Sequence, residues 1–159
     1  MQKIAVWESP LGTMTMAGTD TALQGLWFLG QKHYGSTLER EYSKGDSPVF
    51  ETAKQWLSCY FRGEKPDALP PLELRGSEFQ KRVWRILLTI PYGKTMTYGQ
   101  IAAVMEQESA GKVSAQAVGG AVGRNPISIL VPCHRVVGRD GSLTGYAAGV
   151  PVKAALLRL

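Results

Sequence analysis

The sequence predicts an α+β fold with two lobes, a small antiparallel sheet with a helix and then a helical lobe. Short apolar and Thr-rich segments separated by turn residues come first, and helical spacing of apolar residues begins near residue 48 and resumes near residue 79. Charge is also divided unevenly between the halves. At 159 residues, the chain can form one large core or two small ones that share an interface.

The excess of basic residues lies wholly in the C-terminal half. Residues 1–75 carry 8 Lys and Arg against 9 Asp and Glu, whereas residues 76–159 carry 10 against 4. Because Lys and Arg displace counterions from phosphates, this asymmetry favours a polyanionic partner such as DNA. A solvated basic surface without such a partner explains the charge equally well.

The composition argues against several other classes of protein. No segment approaches the roughly 18 apolar residues of a membrane span, and no basic segment followed by an apolar stretch marks a secretion signal. Cys59 and Cys133 are the two cysteines, and neither belongs to a C-x-x-C pair or a Cys/His cluster. We therefore expect no metal, no disulfide and no membrane partner, and a soluble, cytoplasmic monomer.

The N-terminal lobe is predicted from strand and cap signals. Three strands, separated by turn residues, are expected at residues 3–8, 13–18 and 22–29. Ser47-Pro48 has the form of an N-cap followed by proline at the first helical position. The helix that begins there should cover the sheet through Phe50, Ala53, Leu57 and Tyr60, and Cys59 within it is expected to be a buried core thiol.

Three helices are predicted in the C-terminal lobe. The first ends before Pro91 and has an apolar stripe formed by Phe79, Val83, Leu87 and Ile90. Thr97-Tyr98-Gly99-Gln100 has the T-x-x-Q form of a capping box, which starts a second helix that runs to about Met105. Ser114 can cap a third helix that runs to about Val122.

The third helix contains Gly119 and Gly120, each of which costs about 1 kcal/mol relative to alanine. Small residues allow a helix to approach another surface closely. A helix, a connector and a glycine-rich helix in a basic region suggest a helix-turn-helix whose second helix meets DNA. Tight packing within the lobe is the alternative, and the connector at about residues 106–113 is longer than a usual turn.

Cys133 is the candidate nucleophile. The apolar run at residues 127–131 predicts a buried strand that would deliver this thiol into a restricted pocket. A thiolate is favoured by a nearby cation or histidine, yet consecutive side chains of a strand point to opposite faces. His134 can therefore act on Cys133 only if the chain bends there or a water bridges the two, and an inert buried thiol stays the alternative.

Two segments carry a family resemblance. Pro132-Cys133-His134-Arg135-Val136-Val137, preceded by Asn125-Pro126-Ile127-Ser128-Ile129, closely resembles the active-site segment of O6-alkylguanine-DNA alkyltransferases. The likeness runs in order through the C-terminal half, and it is looser in the N-terminal lobe. It includes the segments 97–102, 117–121 and Gly145-Tyr146-Ala147-Ala148-Gly149.

The resemblance implies a fold and an activity. A small ribonuclease-H-like domain would occupy residues 1–75, and a helix-turn-helix domain that binds DNA and accepts the alkyl group would occupy residues 76–159. The activity would be direct-reversal repair of double-stranded DNA, in which a flipped O6-alkylguanine gives its alkyl group irreversibly to Cys133. One protein would repair one lesion without cofactor or metal, and O4-alkylthymine is a second candidate substrate.

The resemblance also implies roles for individual residues. Cys133 would be the acceptor, His134 the base that takes its proton through a water, Asn125 the residue that orders the bend, and Tyr98 the residue that rotates the 3′ phosphate and helps to protonate guanine. The residues expected to contact DNA are Ser114, Ala115, Gln116, Ala117, Gly119, Arg124 and Arg135. The residues expected to line the substrate pocket are Ser128, Val136, Tyr146, Ala147 and Ala148, with the backbone of residues 136–146 as its wall.

The sequence departs from the family pattern at two places. Gln116 stands where the family commonly has an arginine that fills the gap left by the flipped base, so base flipping or affinity should be weaker. The family also places a glutamate that orients the histidine shortly after the Leu-Leu pair, just beyond Leu159. A chain without that glutamate would stabilise its thiolate less.

Three other functions fit parts of the sequence. A helix-turn-helix transcription factor would use Cys133 as a buried thiol or a methylation sensor, but no dimerisation helix is evident. A cysteine hydrolase would need an oxyanion loop and a separated triad partner, which the two histidines do not readily supply. A lesion-binding protein without activity would resemble the family but lack the acceptor cysteine.

Overall fold

The computed structural model describes residues 1–109, 111–143 and 146–159. The chain forms two compact units, and the boundary between them is not a single cut in the sequence. The first unit contains residues 1–75, 126–128 and 159, and the second contains residues 76–125 and 129–158. The first is a sheet with a helix and the second is mostly helical, so the predicted α+β class is confirmed.

The first unit has four strands: β1 (Gln2–Ser9), β2 (Gly12–Gly18), β3 (Leu23–Phe28) and β4 (Tyr42–Lys44). They form one sheet in the order β3-β2-β1-β4. The three predicted strands are present, and the parallel edge strand β4 was not predicted. Strand β4 is three exposed residues long and carries no apolar alternation that the sequence could reveal.

Helix α1, Pro48–Phe61, begins where the Ser-Pro signal predicts it. The hydroxyl oxygen of Ser47 accepts a 3.2 Å hydrogen bond from the amide of Phe50, which satisfies one of the free amides of the first turn. The apolar face that includes Phe50, Ala53 and Leu57 is fully buried, and helix α1 contacts strand β2. The predicted cover of the sheet is therefore confirmed.

Cys59 was predicted to be a core thiol, and that prediction is wrong. The residue is only partly buried, and its sulfur lies 3.8 Å from the backbone carbonyl oxygen of Glu64. The buried face of α1 passes through Leu57 and Tyr60, so Cys59 falls at its margin.

Among its described residues, the second unit has four α-helices and two short strands. Capping boxes at Ser77 and Thr97 start the first two helices, and Ser114 caps the third by accepting a hydrogen bond from the amide of Ala117. The predicted starts at Thr97 and Ser114 are confirmed. The elements are α2 (Glu78–Leu87), β5 (Met96–Thr97), α3 (Tyr98–Glu108), α4 (Ala115–Gly123), β6 (Val136–Val137) and α5 (Val150–Leu157).

Helices α3 and α4 pack on one another and on α2. The indole nitrogen of Trp84 on α2 donates a 2.9 Å hydrogen bond to the carbonyl oxygen of Ala121 on α4. Helix α3 runs three residues past the predicted end at Met105, so the connector is shorter than expected. This connector, residues 109–114, includes Ala110, which lies outside the described residues.

The apolar run at residues 127–131 is buried as predicted, but the strand prediction is wrong. Only Ile127 makes a bridge, parallel to Leu26 of strand β3, and the amide of Ser128 donates to the carbonyl oxygen of Leu26 at 2.9 Å. At Ile129 the backbone then adopts a φ of 70°, which ends extended structure. No helix among the described residues is long and apolar enough to cross a membrane.

Candidate active site

Cys133 opens a single turn of 3-10 helix, Cys133–Arg135, which we call the acceptor turn. The amide of Cys133 donates to the carbonyl oxygen of Val131 at 2.8 Å, and its own carbonyl oxygen accepts from the amide of Val136. The chain therefore bends at Cys133, which meets the condition under which the adjacent His134 can reach the thiol. The cysteine is 5% exposed, so few solvent molecules contact it.

Asn125 closes the loop that precedes the acceptor turn. Its side-chain amide donates a 2.8 Å hydrogen bond to the carbonyl oxygen of Val131, and it also hydrogen-bonds the Cys133 side chain. Because Asn125 is itself buried, it can hold both groups without competition from water. One side chain thus links the start of the loop to the thiol.

The ionisation of Cys133 is governed by opposing effects. Burial dominates and raises the pKa of the thiol above its ordinary value of 9.0. Hydrogen bonds from Asn125 and Tyr146 and the positive charge of Lys153 act in the other direction. The resting group at neutral pH is consequently a thiol, and the surrounding groups reduce the cost of forming the thiolate.

His134, which follows Cys133 in the acceptor turn, is completely buried. Burial, together with the charges of Arg135 and Lys153, lowers the pKa of His134 to about 3. The imidazole is therefore neutral at physiological pH. It can accept a hydrogen bond or relay a proton, but it supplies no positive charge to Cys133.

Lys153 is the site residue that the sequence analysis missed. It lies in the first turn of α5, a helix that packs against the acceptor turn, and its side chain is fully buried. Burial lowers the pKa of Lys153, and the charge of the Cys133 thiolate opposes this effect. Lys153 is the charged residue in the otherwise apolar segment Val150–Leu157, a signal that was available in the sequence.

Arg135, expected to contact DNA, lies at the end of the acceptor turn and is 8% exposed. Its guanidinium donates a 3.0 Å hydrogen bond to the carbonyl oxygen of Ile90 and lies 5.7 Å from the centre of the Tyr92 ring. This geometry holds the acceptor turn against the turn that follows helix α2. It leaves little of the side chain exposed for a phosphate.

Tyr98 is linked to the acceptor turn through a two-residue parallel ladder. Strand β5 leads directly into helix α3, where Tyr98 is the first residue, and strand β6 follows the acceptor turn. Met96 pairs with Val136 and Thr97 pairs with Val137. Two elements predicted to act on the same substrate are thereby held together by backbone hydrogen bonds.

The start of helix α4 presents a surface of small residues. Ser114, Ala115, Gln116 and Ala117 are exposed, as is Arg124 at the end of the helix. Gly119 faces the Tyr98 ring, since a Cβ built on it would lie 3.7 Å from the ring, whereas a Cβ on Gly120 would meet nothing within 4 Å among the described residues. Packing against the described residues therefore does not explain why position 120 is a glycine.

The expected pocket residues fall into two groups. Val136 and Tyr146 are buried, the Tyr146 hydroxyl interacts with Cys133, and Ala147 and Ala148 follow in a half-buried turn. The hydroxyl of Ser128 lies in the first unit, 3.3 Å from the side-chain carbonyl oxygen of Gln31. Two residues of the expected pocket wall, 144 and 145, lie outside the described residues. The second of them is Gly145 of the segment that resembles the family.

No group of three or more His, Cys, Asp or Glu side chains in the described part of the chain is placed to hold an ion.

Both halves of the chain match domains of one known protein family. Residues 3–74 match the ribonuclease-like domain, and residues 78–159 match the DNA-binding domain, of 6-O-methylguanine DNA methyltransferase. The protein is thus a DNA-binding protein of the methyltransferase class. It belongs to the 6-O-methylguanine DNA methyltransferase family.

Relatives and solved structures agree over nearly the whole length. A methylated-DNA–protein-cysteine methyltransferase of Mycobacterium bovis is 46% identical over 96% of this chain and 88% of its own. One of Methanosarcina acetivorans is 43% identical over 98% and 96%. The crystal structure of Mycobacterium tuberculosis OGT in complex with DNA superposes with a TM-score of 0.87 at 43% identity, covering 99% of this chain and 91% of that one. Membership of this family decides against the transcription factor and the hydrolase.

Proposed function

We propose that this protein repairs O6-alkylguanine in double-stranded DNA by transferring the alkyl group irreversibly to Cys133. The observation that carries the proposal is the placement of Cys133, a buried thiol at a bend whose hydrogen-bond partners are Asn125 and Tyr146. Such a thiol is shielded from adventitious alkylation, and its hydrogen-bond partners offset part of the cost of ionisation that burial imposes. A nucleophile of this kind suits a single reaction with a substrate delivered into the pocket.

Residues 1–75 would form the ribonuclease-H-like domain, and residues 76–159 the helix-turn-helix domain that binds DNA and carries the acceptor. Exposed small residues at the start of helix α4 support this assignment, because they allow a helix to enter a groove closely. Ser114, Ala115, Gln116, Ala117, Gly119 and Arg124 would form the contact surface. The basic excess of this half supports phosphate binding.

The chemical step is a displacement at the alkyl carbon. The sulfur of Cys133 forms a bond to that carbon while its bond to the guanine oxygen breaks, and the electron pair leaves with guanine. The proton given up by Cys133 balances the one that guanine takes up. The thioether does not regenerate the thiolate, so each protein molecule reacts once and is consumed. Neither a cofactor nor a metal takes part in the step.

The neighbouring side chains would divide the supporting roles. Asn125 orders the bend, and neutral His134 relays the proton from Cys133 through a water. Tyr98, at the start of helix α3, would rotate the 3′ phosphate of the flipped nucleotide and help to protonate the leaving guanine. Extrusion costs a few kcal/mol and is cheapest for a damaged, poorly paired base, which favours alkylated guanine.

The flipped base would be held by Val136, Tyr146, Ala147 and Ala148. The two alanines leave room for alkyl groups larger than methyl, and O4-alkylthymine would be a second substrate of the same pocket. The protein would act as a monomer. Repair of DNA would take place in the cytoplasm.

The decisive experiment measures intact-protein mass after incubation with a duplex oligonucleotide containing O6-methylguanine. We expect a gain of one methyl group per chain, never more, and no gain with unmodified DNA. Cys133→Ala should gain nothing, whereas Cys59→Ala should behave as wild type. A methyl group on Cys133→Ala, or its absence from the wild-type protein after tight binding to the lesion, would overturn the proposal.

A further inference from the structure

Strand β3 forms the start of a parallel ladder with the segment at residues 126–128. The amide of Leu26 donates to the carbonyl oxygen of Pro126 at 2.8 Å, and the carbonyl oxygen of Leu26 accepts from the amide of Ser128 at 2.9 Å. Alternate residues of a strand direct their backbone groups to the same edge, so a ladder that continued would use Phe28 next. The amide of Phe28 would then donate to the Ser128 carbonyl oxygen.

Gln31 occupies both backbone groups of Phe28. The side-chain carbonyl oxygen of Gln31 accepts a 2.9 Å hydrogen bond from the Phe28 amide, and the Gln31 amide donates to the Phe28 carbonyl oxygen at 3.2 Å. The hydroxyl of Ser128 donates to the same side-chain oxygen at 3.3 Å. Because Gln31 is 8% exposed, water competes little for these bonds. The edge of β3 is therefore closed just beyond Leu26.

The end of the ladder fixes the place where the chain leaves the sheet. Residues 128–130 form a turn, and Ile129 has a φ of 70°, which a β-branched residue rarely adopts. Such a conformation persists only where the surrounding structure enforces it. Closure of the β3 edge blocks the extended alternative, in which residues 128–130 would continue the ladder. The turn leads directly into the segment that carries Cys133.

We propose that Gln31 is a positioning residue for alkyl transfer, whose side-chain oxygen ends the ladder at Phe28 and so directs the chain through Ile129 to Cys133. The inference rests on the proposed role of Cys133 as acceptor. No bond to Gln31 forms or breaks in the reaction. Without the Gln31 oxygen, the Phe28 amide is free to pair with the Ser128 carbonyl oxygen, and Cys133 moves from its place.

Gln24 supplies a matched control within the same strand. It is also buried, at 1% exposed, and its side chain hydrogen-bonds Gln2 at 2.8 Å and Glu73 at 3.1 Å. Both of these partners lie outside the segment at residues 126–128. Removing the Gln24 amide therefore removes a buried polar group from β3 without opening the edge at Phe28.

The test measures single-turnover methyl transfer from an O6-methylguanine duplex with the protein in excess. The dependence of the rate on protein concentration separates the maximal rate constant from the concentration at half saturation, and circular dichroism reports folding. Gln31→Met keeps the length of the side chain and removes its oxygen. Gln31→Glu keeps an oxygen that can accept both hydrogen bonds, and Gln24→Met is the control.

Gln31→Met should lower the maximal rate constant about tenfold or more, because an error of about 1 Å in the position of a reacting group costs on the order of 100-fold. The concentration at half saturation should not change, since the DNA surface is untouched. Gln31→Glu should restore the maximal rate constant to within about threefold of wild type, because a carboxyl oxygen accepts the same bonds. Gln24→Met should keep the wild-type constant.

Three results would overturn the inference. The first is a folded Gln31→Met protein with the wild-type maximal rate constant. The second is a folded Gln31→Glu protein that is as slow as Gln31→Met, since the effect would then not follow the acceptor oxygen. The third is an equal loss in Gln24→Met, which would make the effect a general one of buried amides.

A shorter side chain decides the matter if Gln31→Met does not fold. In Gln31→Asn the oxygen is withdrawn by about 1.5 Å, the length of one carbon–carbon bond, so the maximal rate constant should again fall. A wild-type constant in this variant would also overturn the inference. Absence of methylation from the wild-type protein, or methylation of Cys133→Ala, would instead refute the proposed acceptor, so the two failures are distinguishable.

Discussion

The side-chain amide of Asn125 donates a 2.8 Å hydrogen bond to the carbonyl oxygen of Val131. Both residues are buried, so water cannot replace this donor. Asn125→Ala should therefore lower the free energy of unfolding by about 1 to 3 kcal/mol, the usual cost of an unsatisfied buried acceptor. It should also slow methyl transfer, because the loop before Cys133 loses its closure. Urea unfolding and single-turnover kinetics measure the two effects.

Asn125→Asp is the matched control for shape. It replaces the amide donor with a second acceptor that faces the Val131 carbonyl, so at neutral pH this protein should be at least as destabilised as Asn125→Ala. An Asn125→Asp protein with wild-type stability would show that the hydrogen bond from Asn125 to the Val131 carbonyl contributes nothing to the free energy of unfolding.

Stability should fall on mild acidification because of His134. Its pKa of about 3 in the folded protein lies below the ordinary 6.5, so between these values the unfolded chain binds a proton that the folded chain excludes. The contribution is fully present above pH 6.5 and is lost as the pH falls towards 3. At about 1.4 kcal/mol per pKa unit, it amounts to on the order of 5 kcal/mol.

Urea unfolding of wild type and His134→Gln from pH 7 to pH 4 measures this effect. The glutamine variant should lose most of the slope over that range. His33→Gln, which changes the exposed second histidine, should retain the slope. A steep slope that survives in His134→Gln would point to another group.

Gly25 in strand β3 leaves room for the ring of Trp27, two residues along on the same face. A Cβ on Gly25 would lie 2.1 Å from the Trp27 ring, and that ring is fully buried and cannot move aside. Gly25→Ala should destabilise the protein by about 3 kcal/mol. Gly45→Ala, whose nearest neighbour is the flexible Lys3 side chain at 3.9 Å, should change stability little. Thermal unfolding of both variants checks the contrast, and equal losses would contradict it.

A substitution at Gly120 tests whether the exposed face of helix α4 contacts DNA. Since a methyl group added there would meet nothing within 4 Å among the described residues, Gly120→Ala should stabilise helix α4 by up to about 1 kcal/mol. If the exposed side of α4 enters a groove of DNA, the same change should weaken duplex binding severalfold. Gly123→Ala, also open but at the far end of the helix, should leave DNA binding unchanged. Equal affinities of Gly120→Ala and the wild-type protein for duplex DNA would show that this face of α4 does not contact DNA.

Gln116 is exposed on the same helix and brings no charge. Gln116→Arg should tighten binding of duplex DNA and steepen its dependence on salt by about one released counterion. The measurement is duplex affinity by fluorescence anisotropy at several salt concentrations. An unchanged slope would mean that residue 116 does not approach the phosphates or the base stack.

Much of the fold could be predicted from local chemistry. Ser47, Thr97 and Ser114 carry cap signals that depend on a few neighbouring residues, and each begins a helix in the structure. Strand β4 and the pairing of β5 with β6 depend on partners distant in sequence, so local patterns could not reveal them.

The site was predicted less completely. A buried segment without regular secondary structure has no periodic pattern of apolar residues from which its conformation could be predicted. The run at residues 127–131 is as apolar as a strand, yet it turns at Ile129, where a β-branched residue adopts a positive φ that no propensity predicts. Lys153 was missed because a lysine in a helix is ordinarily solvated. Its apolar neighbours on both sides were the one available indication.

Residues 126–128 complete the N-terminal unit, although they are encoded about 50 positions after its main segment ends. The amide of Leu26 donates to the carbonyl oxygen of Pro126, so an edge of β3 stays unpaired there until that residue has been made. During synthesis on the ribosome, the sheet therefore cannot be finished while only its own first 75 residues have emerged. Maturation of the N-terminal unit must therefore wait for the segment that leads into Cys133.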